Sequence, residues 1–178
     1  MIARTILNAA LGMVAAFGLA APVLAELPEG SKAPLFTTKA ALAGTEMGFS
    51  LAAALRQGPV VLYFYPKAFT QGCTLEANAF AEAMDDFRAA GASVIGMSND
   101  DIATLKRFSR EECRDAFPVG VAASELIEAY DVAMGNSGLA SRTSYVIAPD
   151  SRIAFVHADS DYRGHVAKTL AAVRALSR

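Results

Sequence analysis

The stretch Val60-Val-Leu-Tyr-Phe-Tyr65-Pro66-Lys-Ala-Phe-Thr70-Gln-Gly-Cys73-Thr-Leu-Glu76 decides the fold of this chain. Its first six residues are apolar or aromatic without interruption, which is typical of a strand buried on both faces. A proline and a short loop follow, and from Cys73 onward the apolar residues recur at helical spacing. A strand that leads through a loop into a helix indicates an α/β domain.

Cys73 is predicted to lie in the first turn of that helix. The backbone N–H groups of a first turn have no partner within the helix, and the helix dipole places partial positive charge there. Both effects favour a thiolate over a thiol, and cationic neighbours add to them. Because the thiolate is the nucleophilic form of cysteine, the sequence predicts a reactive residue at this position.

Strands and helices alternate along the rest of the chain. Strands are predicted at 35–41, 46–49, 59–65, 92–97, 117–121, 144–148 and 152–157, and helices at 51–57, 73–90, 101–112, 125–130 and 162–176. Ser50, Asp100 and Ser124 are the predicted N-caps of three of these helices, and Gly91 ends a fourth. Strands separated by helices, with a hairpin near the end, predict a central mixed β-sheet with helices on both faces.

The N-terminus has the features of a secretory signal. Arg4 precedes an apolar run at 6–19, and Val23 and Ala25 occupy the small-residue positions that a signal peptidase requires. We expect residues 1–25 to be a signal peptide cleaved after Ala25, leaving 26–178 as one domain in the periplasm. The alternative is an uncleaved membrane anchor, since residues 6–25 are just long enough to span a bilayer.

Composition restricts the classes of partner. The chain has 178 residues, 19% of them charged, and a formal net charge of −2, which suits one globular domain with a full core. This mild acidity argues against nucleic acid or anionic lipid as a partner. His157 and His165 form no metal-ligand spacing with Cys113, so we expect both to be surface or core histidines.

The spacing Pro66-x-x-x-Thr70-x-x-Cys73 resembles the active-site motif of the peroxiredoxins, and the likeness extends over essentially everything after residue 30. The phrase from Val60 to Glu76 is most similar to the bacterioferritin-comigratory protein, or peroxiredoxin Q, branch. Gln71 stands where that branch often has a second proline. The resemblance implies a thioredoxin-like fold and a thiol peroxidase of the AhpC/TSA type. Its Cys73 thiolate would attack hydrogen peroxide or a small organic hydroperoxide and become a sulfenic acid.

An arginine precedes a predicted buried strand in Ala140-Ser-Arg142-Thr143-Ser-Tyr-Val-Ile147. A guanidinium is always charged, and its fork binds two oxygens at once. Taken alone, this residue is better explained as an ordinary surface arginine beside a strand, because exposed arginines are common. In peroxiredoxins the arginine of a comparable context lies beside the reactive sulfur, and the resemblance implies the same place for Arg142.

The resemblance also implies roles for the residues around Cys73. Thr70 would hold the peroxide through its hydroxyl, and Arg142 would stabilise the thiolate and the charge on the leaving oxygen. Pro66 would pack over the site and limit access of water. Glu76 would orient the arginine, although it could instead be a first-turn carboxylate that favours the helix dipole.

Cys113 is the second thiol of the chain. Many relatives carry a second cysteine five residues after the first, but here that position is Asn78. Another subset of the branch has its resolving cysteine in the region of Cys113, so the resemblance implies an intramolecular Cys73–Cys113 disulfide during turnover. A permanent structural bridge and a buried inert thiol are the alternatives.

The implied peroxidase needs no haem, flavin or metal, because the sulfur carries the electrons. Its partners would be a peroxide substrate and a thioredoxin-like dithiol reductant, and we expect a monomer or weak dimer without stable membrane association once the signal is removed. Two alternatives from other classes are a thiol–disulfide oxidoreductase and a noncatalytic, disulfide-stapled thioredoxin-fold module that binds a partner. The sequence contains no Cys-x-x-Cys, which weighs against the first.

Overall fold

The computed structural model describes residues 26–176, so the predicted signal peptide lies outside the described residues. The strands are β1 (Thr37–Leu42), β2 (Thr45–Ser50), β3 (Val60–Phe64), β4 (Ser93–Ser98), β5 (Val119–Val121), β6 (Thr143–Ile147) and β7 (Ile153–Ala158). The helices are α1 (Leu51–Leu55), α2 (Gln71–Glu82), α3 (Met84–Ala89), α4 (Ile102–Glu111), α5 (Ser124–Ala129) and α6 (His165–Leu176), with a 3₁₀ turn at Tyr162–Gly164.

One seven-stranded sheet organises the molecule, in the order β2-β1-β5-β4-β3-β6-β7. β3, β4 and β5 run parallel at its centre, while β1 and β6 flank them antiparallel and continue into the edge strands β2 and β7. The predicted mixed sheet is therefore confirmed. No helix within residues 26–176 combines the length and apolar character that crossing a bilayer requires.

The core has two halves, one on each face of the sheet. Because side chains alternate along a strand, Val61 and Tyr63 of β3 pack with α2, α3, α4 and α6, whereas Leu62 and Phe64 pack with α1 and α5. All five residues of β3 are buried. Helices on both faces of the sheet are the arrangement that the sequence predicts.

Tyr63 shows how closely the first half is packed. Its ring stacks on Phe80 of α2 with centroids 4.3 Å apart. On the neighbouring strand β4 its partner in register is Gly96, where a Cβ would lie 2.6 Å from the tyrosine ring. The ring therefore occupies the space that a side chain at position 96 would need.

The predicted helix at 73–90 is two helices. It begins at Gln71 and breaks at Ala83, where the backbone leaves the helical region and its N–H is shared between the carbonyls of Ala79 and Phe80. Gly91, with φ of +75°, ends α3 as predicted. Its N–H donates to the Arg88 carbonyl, and the N–H of the next residue donates to the Phe87 carbonyl, both at 2.9 Å.

The predicted helix caps have mixed outcomes. Ser50 caps α1, since its side chain accepts a hydrogen bond from the Ala53 N–H. The prediction for Asp100 is wrong, because Asp101 caps α4 while the Asp100 carboxylate accepts hydrogen bonds from the 65–70 loop and from β4. Ser124 is the first residue of α5 rather than its cap, which is Ala123.

Candidate active site

The loop between β3 and α2 sets the position of Cys73. The Ala68 N–H donates to the Asp100 carboxylate at 2.8 Å, which ties the loop to the end of β4. Phe69 adopts a φ of +62°, and its ring meets the Phe108 ring edge-on at 5.2 Å. Thr70 occupies the N-cap position of α2. Cys73 is consequently the third residue of the helix, with 1% of its surface exposed.

Arg142 reaches Cys73 because β6 pairs antiparallel with β3. Thr143 at the start of β6 lies opposite Phe64 at the end of β3, so the residue before β6 lies beside the loop that leads to α2. Nη2 of Arg142 is 3.5 Å from the Cys73 Sγ. Its Nε donates to the Ser160 carbonyl at 3.1 Å, which fixes the plane of the guanidinium.

Glu76 is the third member of this group. It forms a hydrogen-bonded ion pair with Nη1 of Arg142; the Glu76 side chain is fully buried and that of Arg142 is 9% exposed. Glu76 lies in the second turn of α2, so the alternative of a first-turn carboxylate does not hold. The observed contact agrees with the role implied for Glu76, which is to orient the arginine.

Burial dominates the electrostatics of this group. It raises the pKa of Glu76 to about 8, although Arg142 acts in the opposite direction. Burial alone would lower the pKa of Arg142, but the charges of Glu76 and Cys73 outweigh it and raise that pKa. The guanidinium is therefore a fixed positive charge, and burial moves the protonation of the Glu76 carboxyl towards neutral pH.

Two polar residues that the sequence reasoning missed lie behind Glu76. His165, the first residue of α6, is fully buried, and its Nδ1 is 3.8 Å from Glu76 Oε1. Ser144 on β6 is 2.8 Å from the same nitrogen. Burial lowers the pKa of His165 to about 4. No local sequence signal marks this histidine, because its partners come from distant parts of the chain.

Thr70 and Pro66 lie at the outer side of the site. The Thr70 side chain is exposed, and its hydroxyl donates to the Lys67 carbonyl at 2.9 Å rather than to Cys73. Pro66 and Arg142 line a surface pocket of about 390 Å³. The other lining residues are Glu26, Met134, Ser141, Ala158, Asp159 and Ser160. The structure thus joins Cys73, Glu76 and Arg142 directly, and places Pro66 beside Arg142 on an open pocket.

Cys113 lies just after α4 and is fully buried in the same half of the core as Cys73. Both residues are free thiols. Burial, followed by Glu112 and Asp115, raises the pKa of the Cys113 thiol, which disfavours its reactive form. The two residues that follow it, Arg114 and Asp115, have φ of +51° and +58°, a left-handed backbone that non-glycine residues seldom adopt.

Comparisons with known proteins agree with this geometry. The model of the AhpC/TSA family matches residues 30–156. A chloroplastic peroxiredoxin Q of Suaeda salsa is 40% identical over 92 residues, which cover 51% of this chain and 41% of that protein. A Mycobacterium tuberculosis protein named as a peroxiredoxin is 32% identical over 130 residues, covering 71% of this chain and 84% of its own length. The chain thus matches less than half the length of the chloroplastic relative.

The structure is also similar to solved structures of peroxiredoxins. Peroxidoxin BcpB from Mycobacterium tuberculosis superposes with a TM-score of 0.75 and 31% identity, covering 83% of this chain and 97% of that one. Peroxiredoxin Q from Xanthomonas campestris gives a TM-score of 0.68 and 28% identity, covering 79% and 91%. The thioredoxin-like fold implied by the resemblance is confirmed, and the chain belongs to the AhpC/TSA family of peroxiredoxins.

Proposed function

We propose that this protein is a thiol peroxidase that reduces hydrogen peroxide and small organic hydroperoxides at Cys73. The observation that carries the proposal is the contact of 3.5 Å between Arg142 Nη2 and Cys73 Sγ, at the N-terminal turn of α2. A fixed cation and the helix dipole both favour a thiolate at this position. Family membership supports the same chemistry.

The reaction begins when the thiolate attacks the terminal oxygen of the peroxide. An S–O bond forms as the O–O bond breaks, sulfur is oxidised to a sulfenic acid, and the leaving oxygen takes up a proton to become water or an alcohol. Negative charge moves from sulfur onto the leaving oxygen during this step. Arg142, which Glu76 and the Ser160 carbonyl hold in place, is positioned to stabilise that charge.

Pro66 and Thr70 complete the proposed site. Pro66 has no N–H and forms part of the pocket beside Arg142, so it limits the number of waters that can bind there. The Thr70 hydroxyl is exposed at the start of α2 and is able to exchange its contact with the loop carbonyl for a peroxide oxygen. No cofactor is required by this chemistry.

We propose that Cys113 resolves the sulfenic acid. Its thiol would condense with the Cys73 sulfenic acid to form a disulfide and release water. Both thiols are buried in one half of the core, so the segment after α4 has to open first. The left-handed backbone at Arg114 and Asp115 supports this route, because residues in that region store conformational strain that opening releases.

Turnover then requires an external dithiol, for which we propose a thioredoxin-like protein. The decisive test is consumption of hydrogen peroxide and of cumene hydroperoxide by purified protein with thioredoxin and its reductase. We expect turnover by the wild type and none by Cys73→Ser. Reduction of a protein disulfide without peroxide consumption would instead identify a thiol–disulfide oxidoreductase, and neither activity would favour a binding module.

We also propose that residues 1–25 form a signal peptide and that residues 26–178 act as one domain in the periplasm. The support is the basic residue Arg4, the apolar run at 6–19 and the small residues before Glu26. N-terminal sequencing of protein from the producing cell should begin at Glu26. A chain that still begins at Met1 would favour a membrane anchor. We propose a monomer or weak dimer, which sedimentation of the mature chain would test.

A further inference from the structure

The peroxidase chemistry proposed above uses only one of the two carboxyl oxygens of Glu76. Oε2 pairs with Arg142, but Oε1 is buried without a hydrogen-bond partner among the described residues. Nδ1 of His165 lies 3.8 Å from Oε1. Glu76 and His165 are both fully buried. A buried carboxyl oxygen without a partner is costly, so this arrangement calls for a function.

Hydrogen bonds fix the orientation and tautomer of the His165 ring. Nε2 lies 3.0 Å from the Asp159 carbonyl oxygen, which only accepts, so Nε2 carries the ring hydrogen. In the neutral ring Nδ1 is then a bare lone pair, and the Ser144 hydroxyl donates to it at 2.8 Å. His165 is consequently held with its basic nitrogen beside Glu76 Oε1.

The charges of the site require a proton in this place. Arg142 stays positively charged, so a Cys73 thiol together with an ionised Glu76 makes the buried group neutral overall. When Cys73 becomes a thiolate, the same group carries one uncompensated negative charge unless Glu76 or His165 takes up a proton. An uncompensated buried charge is strongly unfavourable. Burial, which raises the pKa of Glu76 to about 8, favours holding this proton on its carboxyl.

We propose that Glu76 holds on Oε1 the one proton that balances the Cys73 thiolate, and that the electron-rich Nδ1 of His165, 3.8 Å away, favours this protonated carboxyl over an ionised one, which makes His165 a positioning residue for peroxide reduction. The inference rests on the proposed peroxidase function. The step moves no electrons: Sγ loses a proton to solvent, Glu76 gains one from solvent, and the buried group stays neutral. His165 acts through Glu76 and does not itself contact the sulfur.

Neighbouring charges decide where that proton resides. The His157 ring on β7 lies 4.6 Å from the His165 ring, and Lys168 of α6 lies 3.3 Å from His157. Burial, His157 and Arg142 disfavour a positive charge on His165, whereas Asp159 favours one. Lys168 disfavours a positive charge on His157. Asp161 and Arg163 of the 3₁₀ turn pair with each other at the surface. The proton therefore resides on Glu76, while the Nδ1 lone pair accepts from the Ser144 hydroxyl.

The experiment measures the ionisation of Cys73 without using peroxide. The rate at which iodoacetamide alkylates Cys73 is followed from pH 4 to 9 by mass spectrometry of its peptide. His165→Gln keeps a donor for the Asp159 carbonyl and removes the nitrogen beside Glu76, while His165→Asn keeps an acceptor there and loses the donor. We expect His165→Gln to raise the midpoint of the alkylation profile by about one pH unit, with roughly tenfold slower alkylation below the midpoint. In His165→Asn the midpoint should stay close to the wild-type value, and the control His157→Asn should leave it unchanged.

Glu76→Gln provides the second half of the test. A glutamine mimics the protonated carboxyl permanently, so adding His165→Gln in that background should move the midpoint no further. A wild-type midpoint in His165→Gln overturns the proposal, and so does an equal shift in both backgrounds, which would indicate a purely structural effect. Absence of peroxide turnover in the wild type would instead overturn the proposed function, whatever the alkylation profile shows.

A measurement without a substitution at His165 keeps the proposal testable if these variants do not fold. The ¹³C shift of the Glu76 carboxyl is followed from pH 4 to 9 in the reduced wild type and in Cys73→Ser. We expect the carboxyl to lose its proton at a lower pH in Cys73→Ser than in the wild type, because serine carries no charge that needs balancing. The same titration midpoint in both proteins overturns the proposal.

Discussion

Arg142→Met removes a buried positive charge and leaves an apolar side chain that fills much of the same space. The guanidinium is the group that stabilises charge on the leaving oxygen, and loss of one such donor in an enzyme lowers the rate by about 10²–10³-fold. We expect the rate of reaction with hydrogen peroxide to fall by this factor. The matched control Arg142→Lys keeps the charge, but a single ammonium cannot serve Cys73, Glu76 and the Ser160 carbonyl together. We expect the rate of Arg142→Lys with hydrogen peroxide to lie between those of the wild type and Arg142→Met.

The same substitution has a stability effect whose size depends on Glu76. A buried ion pair that loses one partner and keeps the other charged costs about 3–5 kcal/mol. Here burial holds the pKa of Glu76 at about 8 even beside the arginine, and removing the arginine raises that pKa further. At pH 6 the carboxyl is therefore protonated, no charge is stranded, and the loss is limited to about 1–2 kcal/mol of hydrogen bonding and packing.

Two measurements check this reasoning. Quenched-flow assays of reduced protein give the rate constant with hydrogen peroxide, and urea unfolding followed by circular dichroism gives the free energy of unfolding at pH 6. A rate within about tenfold of wild type would show that the guanidinium does little for the transition state. A loss of unfolding free energy above about 3 kcal/mol would show that Glu76 is ionised in the native protein at that pH.

Three further predictions concern stability and the disulfide. Native Glu76 keeps a proton that the unfolded chain loses above pH 4.5, so wild-type unfolding free energy should fall relative to that of Glu76→Gln by about 1.4 kcal/mol per pH unit from pH 6.5 to 7.5, a comparison in which the contribution of Cys73 is common to both proteins. Below pH 6.5 the unfolded chain protonates His165 whereas the native ring, with a pKa of about 4, does not; Glu76→Gln, which lacks the opposing effect of Glu76, should therefore show stability that rises with pH. One equivalent of peroxide should give a peptide joining Cys73 to Cys113, and a sulfenic acid in Cys113→Ser; a stable wild-type sulfenic acid would indicate direct attack by an external thiol. Gly58→Ala should destabilise the fold by more than about 1 kcal/mol in urea titrations, because φ there is +155° and a Cβ would lie 2.2 Å from a carbonyl oxygen; wild-type stability would contradict the packing described for this turn.

Local patterns predicted the parts of the structure that depend on neighbours in the chain. The buried run of β3 and the Ser50 cap follow from such patterns. Which of two adjacent aspartates caps α4 does not follow from local patterns. Asp100 instead accepts hydrogen bonds from the Ala68 N–H and the Ser98 hydroxyl, and only the fold brings these groups together. Local patterns also do not predict the break between α2 and α3 at Ala83, because the apolar residues continue at helical spacing across it.

Some residues of the candidate site could be predicted from the sequence and others could not. Cys73 could be found from its own motif, and Arg142 from the resemblance of its sequence context to the peroxiredoxins. His165 could not, since its partners are Glu76, Ser144 and the Asp159 carbonyl, which lie on separate elements. A histidine that opens a helix has the same sequence context whether it is exposed or buried against a carboxyl group.

The packing of Tyr63 against Gly96 limits how this chain can change over evolution. The two residues are partners in register on parallel strands, and the tyrosine ring fills the volume above the glycine. A side chain at 96 becomes tolerable only after position 63 has become smaller, whereas a smaller residue at 63 alone would leave a cavity in the core. Drift at these two positions should therefore be correlated, with a bulky aromatic at 63 accompanied by glycine at 96 in relatives that keep this core.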